Sequence, residues 1–189
     1  ELFLTHNRPI ARPLDDSVVR WVRGRELVLR CGRGLAPLPV PLPGGAVRAL
    51  ALGAQMKSAV ALGIGGRAYL SQHLGDLETD LAEANFLQAQ DDLQRLYRRR
   101  PATVVCDLHP DYASTRQALK GGRRVVRVPH HHAHALACLA ENGWSGPALA
   151  AAWDGYGLGL DGSAWGGEFL WVEKRRIERV AYFRPFPLP

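Results

Sequence analysis

No two of the three cysteines in this 189-residue sequence, Cys31, Cys106 and Cys138, lie near each other. An odd and scattered set argues against a Cys-x-x-Cys zinc site and a disulfide framework, and fits reduced thiols in a cytoplasmic protein. Long apolar runs are missing as well. Stretches such as Ala148 to Trp153 fall far short of the ~20 residues that a membrane-spanning helix needs. No basic segment followed by an apolar run opens the sequence, so no secretory signal is legible. The first residue is Glu1 rather than Met, as expected of a piece of a longer protein. Lysine is scarce: Lys57, Lys120 and Lys174 are the only ones, so the net charge of +6 rests on arginine. A basic balance suits nucleic acid or a phosphorylated substrate. Basic residues are not interleaved with aromatics, as a single-strand binder requires, so the pattern argues against nucleic acid. With 47% hydrophobic and 22% charged residues, the composition is that of a soluble globular protein.

The texture changes along the chain. Within residues 1–34, Val18-Val19 and Glu26 to Arg30 read as short strands. Residues 35–45 carry Pro37, Pro39, Pro41 and Pro43, which exclude a helix or a central strand, so this stretch is expected to be an extended linker at a domain boundary. Strands are expected over Ala46 to Leu52, Val60 to Ile64 and Arg67 to Leu70, with Gly65-Gly66 as a hairpin turn. A long helix is expected over Asp76 to Arg99, with acids at its start and arginines at its end. Strands at Thr103 to Asp107 and Arg124 to Val128 then alternate with helices at Tyr112 to Lys120 and His131 to Asn142. Further strands are expected at Ala148 to Asp154, Glu168 to Val172 and Ile177 to Phe183, and an extended end at Arg184 to Pro189. This order predicts an α/β domain with a mixed sheet.

Four of the seven histidines fall within Pro129-His-His-His-Ala-His134. A helix starting near His130 places His130 and His134 four residues apart on one face, a spacing that lets two imidazoles chelate one metal ion. The cluster follows a strand and opens a helix, where open α/β sheets place ligands; the plainer alternative is a solvated polar helix start. A glycine-rich stretch, Asp154-Gly-Tyr-Gly-Leu-Gly159, follows a strand. It is expected to be a loop whose backbone N–H groups at Gly155, Gly157 and Gly159 approach an anion, with Asp154 at the strand end in reach of a metal. The spacing fits neither a calcium loop nor a dinucleotide fingerprint. Lys57, after Gly53, is placed to meet a phosphate as a point charge, although a lone lysine is by default solvated. Asp107-Leu-His109-Pro-Asp-Tyr112 puts ionisable groups at the same edge as the histidines.

These pieces occur in an order that resembles the HypF family of hydrogenase-maturation carbamoyltransferases. His6-Asn-Arg-Pro-Ile10, Asp15-Asp-Ser-Val18 and Arg33-Gly34 look like the end of that family's YrdC-like domain. Ser71-Gln-His-Leu-Gly-Asp76, Cys106-Asp-Leu-His-Pro-Asp-Tyr112, His130 to His134, Asp154 to Gly159 and Trp165-Gly-Gly-Glu-Phe169 look like its last domain, which is similar to the tRNA threonylcarbamoyl-transferase. The resemblance implies an α/β lobe of the actin/sugar-kinase/Hsp70 type over residues 46–189, preceded by the YrdC-like end over 1–34, with a second lobe expected after Pro189. It implies that ATP and carbamoyl phosphate form carbamoyl adenylate. The carbamoyl group then passes to the C-terminal cysteine of a HypE-type maturation protein and becomes the cyanide ligand of [NiFe] hydrogenase. Carried onto this sequence, His130, His134 and Asp154 match ligands of a divalent metal (zinc, iron, manganese or magnesium). Lys57 matches a lysine near the carbamoyl or phosphate group, and Gly155, Gly157 and Gly159 match a phosphate-facing loop. His131 and His109 are candidate proton-transfer groups. With one wall of the site only, the chain by itself is expected to have little or no activity. An antibiotic O-carbamoyltransferase lobe and a non-catalytic protein-docking module are the alternatives.

Overall fold

The computed structural model describes residues 2–185, so the extended end expected over Arg184 to Pro189 lies largely outside the described residues. Two strands, β1 (Val18–Val22) and β2 (Arg25–Arg30), form an antiparallel hairpin that is exposed along its length. The residues around it dock onto the following domain: Arg12 pairs with Asp92 at 2.8 Å, the Gln88 side chain donates to the Ala11 carbonyl, and His73 N–H donates to the Cys31 carbonyl at 2.7 Å.

The proline-rich stretch differs from expectation. Pro39–Pro41 forms β3, which pairs antiparallel with β6 (Arg67–Leu70) at the rim of a six-stranded sheet. Proline has no N–H to donate, so such a segment can join a sheet only at its edge. The segment is therefore extended, as its composition dictates, yet part of the sheet rather than a free linker.

Across that sheet the order is β3, β6, β5 (Ala61–Ile64), β4 (Ala49–Ala51), β7 (Thr103–Asp107) and β8 (Arg124–Val128). Strands β3 to β6 pair antiparallel, and β4, β7 and β8 run parallel, giving the mixed sheet that the sequence predicts. The β5–β6 turn uses Gly65 and Gly66, both with positive φ, as a tight two-residue hairpin requires. Helix α1 (Asp80–Leu96) begins later than expected because Thr79 caps it, its side chain accepting from Ala82 N–H at 3.2 Å. Phe86, Ala89 and Leu93 turn its apolar stripe into the core. Helix α2 (Ala113–Lys120) adds Ala113 and Ala118 on the same side, against Leu50, Leu62, Val104 and Cys106.

Helix α3 (His130–Glu141) covers the other side, where Val105 and Asp107 point. Its stripe of His131, Ala135 and Leu139 packs on a separate antiparallel sheet of β9 (Ala148–Leu158), β10 (Ala164–Glu173) and β11 (Arg176–Tyr182), around Ala152, Trp165, Leu170 and Val172. Among the described residues, no helix is long and apolar enough to cross a membrane.

Phe86 is 1% exposed at the centre of the main cluster. Phe86→Ala is expected to lower the unfolding free energy by about 3–5 kcal/mol, read from the urea midpoint at unchanged m-value.

Candidate metal centre

The parallel register of β7 and β8 sets Asp107 opposite Val128, so both strands end at one level. Two residues later the chain enters α3 at His130, the first helical residue. The Asp107 carboxylate is buried there and both oxygens are engaged: Oδ2 accepts from His130 Nδ1–H at 2.7 Å, and Oδ1 accepts from His109 N–H at 2.9 Å. A carboxylate on Nδ1 fixes the imidazole tautomer and leaves His130 Nε2 free to act as a ligand.

That nitrogen faces Asp154. His130 Nε2 lies 3.1 Å and His134 Nε2 3.5 Å from Asp154 Oδ2, and one donor atom from each of the three residues falls within 4.8 Å of the others. Asp154 Oδ1 accepts from Gly155 N–H at 2.7 Å, which turns Oδ2 toward the histidines. Two imidazole nitrogens and a carboxylate, with Asp107 behind one of them, form a donor set suited to a divalent transition metal. The cluster opens onto a cleft of about 430 Å³ lined by Gly53, Ala54, Asp107, His130, Ala133 and His134, among others.

The glycine-rich stretch is not the loop expected. Strand β9 continues through it to Leu158 and pairs with β10. Between the pairs Trp153↔Gly167 and Gly157↔Trp165, the residues Asp154, Gly155 and Tyr156 all lie opposite Gly166. This bulge re-aims the Asp154 side chain out of the regular pleat. A Cβ on Gly157 would come within 2.8 Å of His130 Cβ, and one on Gly159 within 2.0 Å of the Trp165 indole. Those two glycines admit the helix and an aromatic ring at close range, whereas a Cβ on Gly155 would meet nothing within 4 Å.

The other sequence candidates are spread out. His131 is fully buried; its Nε2–H donates to the Gly166 carbonyl at 2.7 Å, pointing toward β10 rather than into the cluster. His109 stacks on Tyr112 with ring centres 4.3 Å apart, and Tyr156 approaches it edge-on at 6.0 Å. Lys57 is exposed with φ 48°, its N–H donating to Asp76 Oδ1 at 2.7 Å, and it does not line the cleft, although Gly53 and Ala54 of the same loop do. Sequence reasoning missed Asp107 as the partner of His130. The available signal was its place at the end of a strand next to the one that leads into the histidines.

The Asp107 hydrogen bond, aided by the nearby Asp107 and Asp154 charges and opposed by burial, raises the His130 pKa above the ordinary 6.5. Burial lowers that of His134, with the His130 charge adding to it. A raised folded-state value means that the His130–Asp107 pair stabilises the metal-free fold fully below pH 6.5. That stabilisation disappears as pH rises through the folded value. In imidazole NMR spectra of the metal-free chain, His130 is expected to titrate above 6.5 and His134 below it, with Asp107→Asn moving His130 downward. An unmoved His130 midpoint in Asp107→Asn would remove Asp107 as the cause.

Comparison with known proteins places these features in context. Residues 45–141 match the model of the HypF Kae1-like domain, and residues 150–189 match that of the carbamoyltransferase Kae1-like domain, second subdomain. The two models divide, between 141 and 150, a stretch that the sequence reading treats as a single lobe. The chain is 46% identical over 188 residues to the carbamoyltransferase HypF of Synechocystis sp., covering 98% of this chain and 24% of that protein. It is 46% identical over 198 residues to that of Rhodobacter capsulatus, covering 100% and 26%. A crystal structure of full-length HypF in the phosphate- and nucleotide-bound form superposes with a TM-score of 0.87 at 34% identity, covering 94% of this chain and 24% of that one. The crystal structure of T. kodakarensis HypF gives 0.84 at 32%, covering 93% and 24%. The chain thus spans about a quarter of the length of the relatives it matches.

Proposed function

The chain belongs to the HypF Kae1-like domain family, and on that premise we propose that it supplies the metal-binding wall of a carbamoyl-transfer site. In this reading carbamoyl phosphate, with water, releases inorganic phosphate, and the carbamate formed displaces pyrophosphate from ATP to give carbamoyl adenylate. The carbamoyl group then passes to the C-terminal cysteine thiol of a HypE-type partner with AMP as the leaving group, toward the cyanide ligand of [NiFe] hydrogenase. The observation that carries the reading is the convergence of His130, His134 and Asp154, backed by Asp107, at the mouth of a cleft.

A divalent ion held there would supply Lewis-acid polarisation of the carbamoyl carbonyl and offset phosphate charge. This chain's own residues do the rest. Asp107 holds His130 with Nε2 outward, and Gly155 N–H holds the Asp154 carboxylate toward the histidines. The loop carrying Gly53 and Ala54 forms the cleft wall, pinned because Gln55 accepts from Ala113 N–H at 2.8 Å and donates to the Leu77 carbonyl at 2.7 Å. Lys57 on that loop is assigned the anionic end of the substrate, as a mobile point charge. His109 Nδ1 accepts from Asp111 N–H at 3.3 Å, leaving Nε2–H for proton transfer at the rim. Gly155 is the part of the glycine stretch assigned to the phosphate side, because a Cβ there would meet nothing within 4 Å; its N–H is engaged by Asp154 Oδ1. The leader, residues 1–34, is assigned to the end of a YrdC-like domain.

The docking-module alternative also has an observation in its favour: β9 exposes Leu149 and Trp153 on one face, with Trp153 75% exposed and its ring tilted against Phe183 at 4.9 Å between centres.

The His130→Ala/His134→Ala pair, placed in a protein carrying the rest of the family's domains, is expected to lose bound metal. Carbamoyl-phosphate-dependent ATP turnover should fall by on the order of a hundredfold or more, the size of a lost electrostatic contact to transition-state charge. Full turnover by the double variant would reject the reading. The 189-residue chain alone is expected to turn over little ATP, since one wall does not preorganise the reacting groups.

A further inference from the structure

The proposed metal ligands come from two elements that share no backbone hydrogen bonds: His130 and His134 from α3, Asp154 from β9. Something must fix the distance between helix and strand. Apolar packing of Ala135 and Leu139 brings the helix to the sheet, and one side chain outside the ligand set hydrogen-bonds it to β10, the strand paired with β9. His131, 0% exposed, donates from Nε2 to the Gly166 carbonyl at 2.7 Å, and Gly166 is the β10 residue opposite the Asp154–Tyr156 bulge. The same residue is held from behind: Gly166 N–H donates to Glu168 Oε1 at 3.0 Å. Glu168 is itself buried and takes two contacts from the Arg179 guanidinium, at 2.5 and 3.1 Å. Arg179 in turn lies over the rings of Trp165 at 4.5 Å and Tyr182 at 3.8 Å, and reaches Asp161 at 3.3 Å. Gly157 completes the joint from the β9 side, since a Cβ there would stand 2.7 Å from the His131 ring and 2.8 Å from His130 Cβ.

We propose that His131 is a positioning residue for the metal site. Its bond to the Gly166 carbonyl, braced by Glu168 and Arg179, sets α3 against the β9 bulge and so fixes His130 and His134 at ligating distance from Asp154. The proposal rests on the metal reading of the cluster. It assigns His131 a role other than proton transfer: the fully buried ring spends Nε2–H on the Gly166 carbonyl. Glu168 and Arg179 act only through the Gly166 peptide, which they hold in the orientation that presents its carbonyl to the helix. An oriented hydrogen bond behind a ligand set commonly governs metal affinity.

The test uses Co²⁺ as the probe, titrated into the full chain and followed by its visible absorption, with circular dichroism as the fold check. His131→Leu is expected to weaken Co²⁺ binding by about 10–100-fold and to change the band shape, the range seen when a group that orients a ligand is lost. His131→Gln, whose amide N–H can reach the same carbonyl, recovers most of the affinity and the wild-type band. Gly157→Ala leaves the ligand atoms in place but presses on both the His131 ring and the His130 Cβ, so it pushes the first turn of the helix off the strand and weakens binding in the same direction even where His131→Leu does not fold. Wild-type affinity and spectrum in a folded His131→Leu or Gly157→Ala chain would overturn the proposal. A measurement without metal separates it from the reading beneath: in either variant, amide hydrogen exchange in the first turn of α3 should quicken relative to α1. Quickened exchange in a chain whose wild type takes up no Co²⁺ supports the docking role of His131 and removes the metal reading. Unchanged exchange overturns the docking role itself.

Discussion

The contact between the Asp107 carboxylate and His130 Nδ1, 2.7 Å long, is the constraint on which the site depends. It exists because two parallel strands end at one level and the second leads directly into a helix. A carboxylate buried at a strand end must have its lone pairs filled, and here a ring N–H and the His109 backbone N–H fill them. The result is a histidine whose free nitrogen can point in one direction only. The rest of the site, from Asp154 on its bulge to the cleft beside Gly53, is arranged around that direction.

Much of the fold was legible in the sequence. The strands Thr103–Asp107 and Arg124–Val128 stand where their β-branched runs and flanking breakers put them, and Gly65-Gly66 turns as two adjacent glycines must. The pairing of His130 with His134 followed from spacing alone once a helix was assumed to begin after Pro129. What local sequence did not reveal depends on partners distant in the chain. Pro39–Pro41 reads as a linker because nothing nearby says that β6 has a free edge. Asp154 to Leu158 reads as a loop because glycine lacks strand propensity; the register with β10 and the close approach of α3 override that preference. Lys57 stays open at both levels: a lone lysine is solvated by default, and here its side chain is exposed while its backbone N–H is held by Asp76.

Glycine carries two different meanings within six residues. At 155 a Cβ would meet nothing and the N–H serves the Asp154 carboxylate, whereas at 157 and 159 the missing Cβ leaves room for histidine and tryptophan rings. A glycine-rich motif read only as a binding loop merges these. The buried Glu168–Arg179 pair is similar in character. Neither residue touches the histidine cluster, yet both belong to the path of contacts that reaches it through one peptide group.

The division of the ligands between α3 and β9 coincides with the division between the two family models, at 45–141 and 150–189. An ion bound by His130, His134 and Asp154 would therefore act as a staple between subdomains. Staple strength and subdomain association are then one thermodynamic quantity seen from two sides: whatever factor the ion adds to the closed arrangement, closure adds to the hold on the ion. A protein built this way could report the relative position of its halves through the occupancy of a single site.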